Sequence, residues 1–188
     1  TKLNISAHYL RPGFAFGGSC LPKDVRAINQ LSSSLKVATP VLSSILTSNA
    51  DHLNRAINLI HSFDKRKIGF LGITFKPNTD DVRESPYLNL CAHFIREGFD
   101  VSVYDENVLF SEVIGENKKF LLSRLNNSFN IVTEDFSEVL RNSEILVVAH
   151  NTQKYRSAVM NKRKEQIIVD LGALDINTDS LLNYFTII

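Results

Sequence analysis

Two hydrophobic spacings divide the chain. Between Thr39 and Ser62, apolar residues recur at Val41, Leu42, Ile45, Leu46, Leu53, Ile57 and Ile60. These three- and four-residue steps mark one face of a helix. Thr39 suits the N-cap and Pro40 the first helical position, so one helix of roughly 23 residues is expected. A striped helix of that length commonly packs against another domain or subunit. A shorter helix, Val25 to Leu31, is expected before it, with Asp24 as its cap. The pattern changes at Asp64-Lys65-Arg66-Lys67. Short apolar runs follow at Ile68 to Ile73, Val101 to Tyr104, Ile131 to Thr133, Ile145 to Ala149 and Ile167 to Leu171, each read as a strand. Helical patterns lie between them at Leu88 to Glu97 (stopped by Gly98), near Lys118 to Leu125, and at Phe136 to Arg141. Such alternation predicts a parallel sheet with helices on its faces. The expected fold class is α/β: a helical segment over residues 1–64, then a Rossmann-like α/β domain over 65–188.

Composition narrows the function classes. Of 188 residues, 44% are hydrophobic and 22% charged, enough for a real core, and the net charge of +1 favours neither nucleic acid nor a membrane surface. No apolar run approaches the roughly 18 residues of a membrane span. The two cysteines, Cys20 and Cys91, sit in unlike contexts, so a disulfide framework is not expected and a reducing cytoplasm is. The chain opens on Thr1, its one methionine is Met160, and a dense motif begins within about ten residues. It therefore reads as part of a longer chain.

That motif is Arg11-Pro12-Gly13-Phe14-Ala15-Phe16-Gly17-Gly18-Ser19-Cys20-Leu21-Pro22-Lys23-Asp24. Its glycines and prolines argue for a structured loop. Gly17 and Gly18 let backbone approach a ligand closely. Cys20 lies just before a helix start and near Lys23, a setting that favours thiolate. Asp24 is placed to orient a water or accept a proton. By residue type alone, a buried structural cysteine in a glycine-rich turn remains open.

A second motif runs Gly72-Ile73-Thr74-Phe75-Lys76-Pro77-Asn78-Thr79-Asp80-Asp81-Val82-Arg83-Glu84-Ser85-Pro86. It follows an expected strand and precedes an expected helix, the position that faces the ligand crevice in open α/β sheets. Lys76 and Arg83 are the residue types that clamp a diphosphate. A solvated charged loop is the competing reading. Gly69-Phe70-Leu71-Gly72 lacks the spacing of a dinucleotide fingerprint. Elsewhere, Cys91 falls on an apolar helix face and reads as core. Asp105 and His150 end strands and are weaker candidates for lining the crevice. The five histidines show no metal-ligand spacing. Lys162-Arg163-Lys164 reads as a solvated helix end.

The stretch from His8 to Asp24 resembles the active-site loop of the UDP-glucose/GDP-mannose dehydrogenases, in the form carried by members that oxidise GDP-mannose. The Phe75 to Pro86 stretch is similar to a loop of the family's C-terminal, nucleotide-sugar-binding domain. The resemblance implies oxidation of a nucleotide-sugar C6 alcohol to a carboxylate with two NAD⁺ per turnover. It implies Cys20 as nucleophile, Asp24 assisting water or oxyanion, and Lys23 against the cofactor phosphates. Tyr9, Arg11, Phe16, Gly17, Lys76 and Arg83 would contact substrate, with Arg11 reaching a second subunit's site in a homodimer. No metal is implied. Family members also carry an N-terminal NAD-binding domain of about 200 residues, which this sequence does not include. A UDP-sugar 6-dehydrogenase and a non-catalytic nucleotide-binding or dimerisation module are the alternatives.

Overall fold

Pro22 is the residue that decides where the first helix begins. Proline fits the first helical turn, where an amide hydrogen has no intrahelical partner. Helix α1 accordingly spans Leu21–Ser34, with Cys20 as its N-cap and Pro22 buried. It starts earlier than the expected Val25, so Asp24 is a first-turn acid rather than the cap, and its amide donates to the Cys20 carbonyl at 2.9 Å. The computed structural model describes residues 13–108, 121, 123–125 and 131–187.

Helix α2 spans Pro40–His61, as its apolar stripe predicts, although the Thr39 side chain makes no capping bond. Its C-terminal half meets the core through Leu53, Ala56, Ile57 and Ile60. Towards the α1–α2 turn, Ile28, Leu31, Leu35, Val37 and Val41 are open to solvent, Val41 at 75% exposure.

The rest is a five-stranded sheet in the order β2-β1-β3-β4-β5, with every pairing parallel. The strands are β1 (Lys67–Leu71), β2 (Asp100–Tyr104), β3 (Ile145–Val148), β4 (Ile167–Asp170) and β5 (Tyr184–Thr186). Helices α3 (Pro86–Arg96), α4 (Phe136–Asn142) and α5 (Gln153–Met160) connect them. β3 and β4 are buried at every residue, as continuous apolar runs in a parallel sheet require. Alternate residues feed two cores. Phe70 and Val147 join α2 and α3 on one face; Leu71 and Val148 join α4 and α5 on the other.

Three expectations differ from the structure. Ile131 to Thr133 supplies one bridge, Val132 to Val103, and not a strand. β5 is a further strand outside the expected set: Tyr184-Phe185-Thr186 is strand-prone by residue type, but it is only three residues long and shows no period. α5 ends at Met160, two residues before the expected helix end at Lys162 to Lys164, and Tyr155, Ala158 and Val159 carry its buried face behind a Thr152 cap. Of the expected helix near Lys118 to Leu125, Leu121 and Leu125 are buried in the core, and the remainder lies largely outside the described residues.

The chain leaves β1 towards β2 on one side, then returns to β3 on the other. The β1/β3 border is therefore a switch point, where a crevice opens at the carboxyl ends of the strands. The Gly72 to Ser85 loop leaves β1 there, and His150 follows β3.

Candidate functional site

The two motifs meet backbone to backbone. The Gly18 amide donates to the Arg83 carbonyl at 3.1 Å. A Cβ on Gly17 would lie 2.3 Å from the Glu84 carbonyl oxygen and 2.9 Å from Pro86 Cδ. Gly18 has φ +86°, and its open face packs on the Phe75 ring. Glycine is required at both positions, once for proximity and once also for conformation. Upstream, the Phe14 ring lies 5.8 Å from that of Tyr87.

Side chains lock this junction. Arg26 on α1 pairs with Glu84 through two hydrogen bonds, at 2.9 and 2.5 Å. Glu84 has φ +50°, an uncommon conformation for a residue with a side chain. Its hydrogen bond with Arg26 holds the carboxyl below the usual range. On α2, Asn49 accepts from the Phe16 amide at 2.7 Å and donates to the Phe16 carbonyl at 2.9 Å. A 240 Å³ cleft opens here, lined in part by Phe16, Arg26, Asn49 and Glu84.

Cys20 is exposed at the N-terminus of α1, with Ser19 Oγ 3.7 Å from its sulfur. Lys23 and Asp24 are exposed on the next turn and pair at 3.6 Å. Arg83 is exposed in the facing loop. It donates to Asp81 from Nε at 2.9 Å and Nη2 at 2.7 Å. Those bonds hold the Asp81 carboxyl below its usual range. They also raise the Arg83 pKa. Lys76 Nζ stands 5.2 Å from the centre of the Phe75 ring, whose other contacts include Gly18. Thus Phe16, Gly17, Cys20, Lys23 and Asp24 share one loop and helix start, docked on the loop of Lys76 and Arg83. Tyr9 and Arg11 lie outside the described residues.

A buried polar cluster shapes the second loop from beneath. The Asp105 carboxylate accepts from the amides of Ile73 at 2.8 Å, Thr74 at 3.2 Å and Asn107 at 3.0 Å. His150 Nε2 lies 3.0 Å from the Thr74 carbonyl. A carbonyl only accepts, so the proton sits on Nε2. Burial lowers the His150 pKa, which fits a neutral ring. A Cβ on Gly72, at φ +94°, would lie 2.7 Å from His150 Nδ1. Asp105 is 1% and His150 4% exposed; neither lines the crevice, and both hold its wall. At the other end of the loop, Ser85 caps α3 by accepting from the Leu88 amide. Cys91 is fully buried, and burial pushes its thiol pKa up, as a core residue should behave. Lys162 and Arg163 are more than a solvated helix end. Arg163 donates to the carbonyls of Leu140, Arg141 and Ser143 at the end of α4.

Residues 69–175 match the UDP-glucose/GDP-mannose dehydrogenase family, UDP binding domain, and residues 1–51 match the same family's central domain. The chain belongs to the UDP-glucose/GDP-mannose dehydrogenase family. It is 41% identical over 179 residues to the GDP-mannose 6-dehydrogenase of Pseudomonas savastanoi pv. phaseolicola, covering 95% of this chain and 41% of that protein. The Pseudomonas aeruginosa GDP-mannose 6-dehydrogenase is 41% identical over 170 residues, covering 90% and 39%. In structure, the chain resembles a ternary complex of GDP-mannose dehydrogenase from Pseudomonas aeruginosa, with a TM-score of 0.87 and 38% identity, covering 99% of this chain and 42% of that one. A UDP-glucose dehydrogenase from Pyrobaculum islandicum follows at 0.76 and 26%, covering 95% and 39%. The chain spans about two fifths of the length of these relatives.

Within this dehydrogenase family the matched regions give the junction a meaning. Gly18, Arg26 and Asn49 fall in the central-domain match, Arg83 and Glu84 in the UDP-binding-domain match. The Gly18–Arg83 and Arg26–Glu84 contacts therefore join the two. Sequence reasoning missed Arg26, Asn49 and Phe75. Arg26 and Asn49 stand on exposed or half-exposed helix positions, where a polar residue is unremarkable until its distant partner is known.

Proposed function

We propose that the chain is the central and nucleotide-sugar-binding part of a dehydrogenase that oxidises GDP-mannose to GDP-mannuronate. The observation that carries the reading is the docking of the Cys20 loop onto the Lys76–Arg83 loop at the sheet's switch point, a nucleophile beside an anion clamp. Similarity favours the GDP sugar. Identity reaches 41% over 95% of the chain for GDP-mannose 6-dehydrogenases, against 30% over 62% for a UDP-glucose 6-dehydrogenase of Bacillus subtilis. The proposed division puts the central region at residues 1–64 and the nucleotide-sugar domain at 65–188.

In this proposal Lys76 and Arg83 bind the diphosphate, with Arg83 held in place by Asp81. Phe16 and Gly17, with Tyr9 and Arg11, shape the sugar side. The C6 alcohol is first oxidised to the aldehyde; the Cys20 thiolate then attacks that aldehyde and forms a thiohemiacetal, and a second two-electron oxidation gives a thioester on Cys20. Water, oriented by Asp24, adds to that thioester, and the thiolate leaves as the carboxylate forms. Covalent attachment splits one hard oxidation into easier steps. NAD⁺, when bound, supplies the oxidant. The described residues do not build its site by themselves. Gly69 is packed under Ser143, Val139 and Leu146 rather than opening a phosphate loop, and Lys23 is the one residue assigned to the cofactor's edge. The exposed apolar residues of α1 and α2 support a homodimer. No helix among the described residues is long and apolar enough to cross a membrane, and a free catalytic thiol suits a reducing cytoplasm.

The test is turnover by the complete enzyme that contains this chain, offered GDP-mannose and UDP-glucose separately. NADH formation with GDP-mannose supports the reading; turnover of UDP-glucose alone refutes it.

A further inference from the structure

The ends of α2 and α3 bring together three side chains that the sequence separates. His61 is the last residue of α2; His93 lies in the last turn of α3; Glu97 caps that helix. Glu97 Oε2 is 3.0 Å from His61 Nε2, and Glu97 Oε1 is 3.2 Å from His93 Nε2. One ligand atom from each residue lies within 4.8 Å of the other two, and this is the one such group among the described residues.

Three features fit this group to a bound cation. The first is spacing. Nitrogen and oxygen ligands sit about 2.0–2.2 Å from a zinc ion, so two of them in a tetrahedron stand roughly 3.3 Å apart; each imidazole Nε2 is 3.0–3.2 Å from a Glu97 oxygen, His61 from Oε2 and His93 from Oε1. The second is aim. His93 Nε2 is buried and makes no hydrogen bond, although Glu97 Oε1 is 3.2 Å away. A buried ring nitrogen without a hydrogen bond is a place where an ion can supply the missing partner. The third is rigidity. His61 packs edge-on against Phe99 and is tilted against Phe94, and His93 meets Phe94 edge-on.

The surroundings permit a cation. His61 and Glu97 have side-chain exposures of 39% and 40% and line an open groove with Asp64, Lys65, Arg66 and Phe99. Lys65 is paired with Glu144 at 3.6 Å, while Arg66 lies over the Phe99 ring at 4.5 Å, on the edge of the same groove.

We propose that His61, His93 and Glu97 form a site for a late first-row divalent cation of the zinc class, completed by water. Two imidazoles and a carboxylate suit zinc, and a hard cation such as Mg²⁺ would prefer oxygen. The ion would fasten the end of α2 to the end of α3, tying the helical arm to the α/β domain. This site is remote in sequence from the Cys20 loop and does not depend on the proposed reaction.

The test uses tag-free, chelator-stripped protein carrying Cys20→Ser, which removes the exposed thiol as a competing ligand. Calorimetric titration with Zn²⁺ is expected to show one equivalent bound and a raised melting temperature. His61→Ala and His93→Ala should each weaken binding by roughly tenfold or more, while His52→Ala should not. Co²⁺ added to protein with all histidines intact should develop visible d–d absorption, which needs no variant to fold. Absence of saturable Zn²⁺ binding, absence of the Co²⁺ bands, or undiminished affinity in the His61→Ala/His93→Ala double variant would each overturn the proposal.

Discussion

Arg26 on α1 and Glu84 in the loop after β1 are joined by two hydrogen bonds across 58 positions of sequence. The pair crosses the seam between the cysteine loop and the proposed phosphate loop. Its energetic worth as a surface pair is small, because both side chains are substantially exposed. Its value is in register. Arg26→Ala should leave the melting temperature nearly unchanged, yet lower kcat/KM of the complete enzyme severalfold, since small displacements of catalytic groups are costly. Parallel melting curves and steady-state kinetics check this.

Acid should loosen the same seam. The folded pKa values of Glu84 and Asp81 lie below their ordinary values of 4.5 and 3.8, chiefly through hydrogen bonds from Arg26 and Arg83. A depressed carboxyl contributes stability that is complete above its unfolded pKa and is lost as pH falls through its folded pKa. The stability of the chain should therefore decline from about pH 4.5 downward. Glu84→Gln should flatten part of that decline, as measured by urea unfolding at a series of pH values.

Gly17 tolerates no side chain. A Cβ there meets the Glu84 carbonyl oxygen at 2.3 Å and the Pro86 ring at 2.9 Å, and neither can swing aside as a flexible side chain would. Gly17→Ala should destabilise the protein by about 1–3 kcal/mol and push Cys20 away from the Arg83 loop. Denaturant unfolding gives the first quantity, and loss of turnover in the complete enzyme reports the second. Gly13→Ala, where no atom lies within 4 Å of the added Cβ, serves as the neutral control.

Asp105 is buried and holds the start of the Lys76–Arg83 loop from beneath. Asp105→Ala strands the buried amides of Ile73 and Thr74, at a cost of roughly 1–3 kcal/mol. Hydrogen exchange at those two amides should accelerate in the variant more than exchange in β4, which lies two strands away from β1.

The α1–α2 surface should hold two copies together. Leu35→Glu with Val41→Glu places charge on residues that are 64% and 75% exposed in the single chain. Light scattering should show a dimer for the parent protein and a monomer for the double variant, with unchanged circular dichroism.

Much of the fold is legible in the pattern of apolar residues. α2 and the four longer strands declare themselves because each is a run whose period or continuity is set by burial. The start of α1 is harder to read, because Pro22 breaks a helix interior and suits a first turn equally well. β5 leaves only a weak signal, because Tyr184-Phe185-Thr186 is strand-prone by residue type yet too short to show a period. The cysteine loop and the phosphate loop are each legible as motifs. Their junction is not: Asn49 on Phe16, Arg26 on Glu84 and Phe75 under Gly18 join positions from 33 to 58 residues apart, and local spacing carries no information about such pairs. The same holds for His61 and His93, which share a helix-end cluster although their spacing in sequence is unlike that of a metal motif.

The central claim is that Cys20 is the covalent nucleophile of a nucleotide-sugar oxidation. Its most direct measurement is conversion of GDP-mannose to its uronate by the complete enzyme, parent against Cys20→Ala, followed by NADH absorbance and by mass spectrometry of the product. The account predicts that uronate formation falls by orders of magnitude when the nucleophile is removed, with the variant still folded. Uronate formed at the parent rate by Cys20→Ala would contradict it.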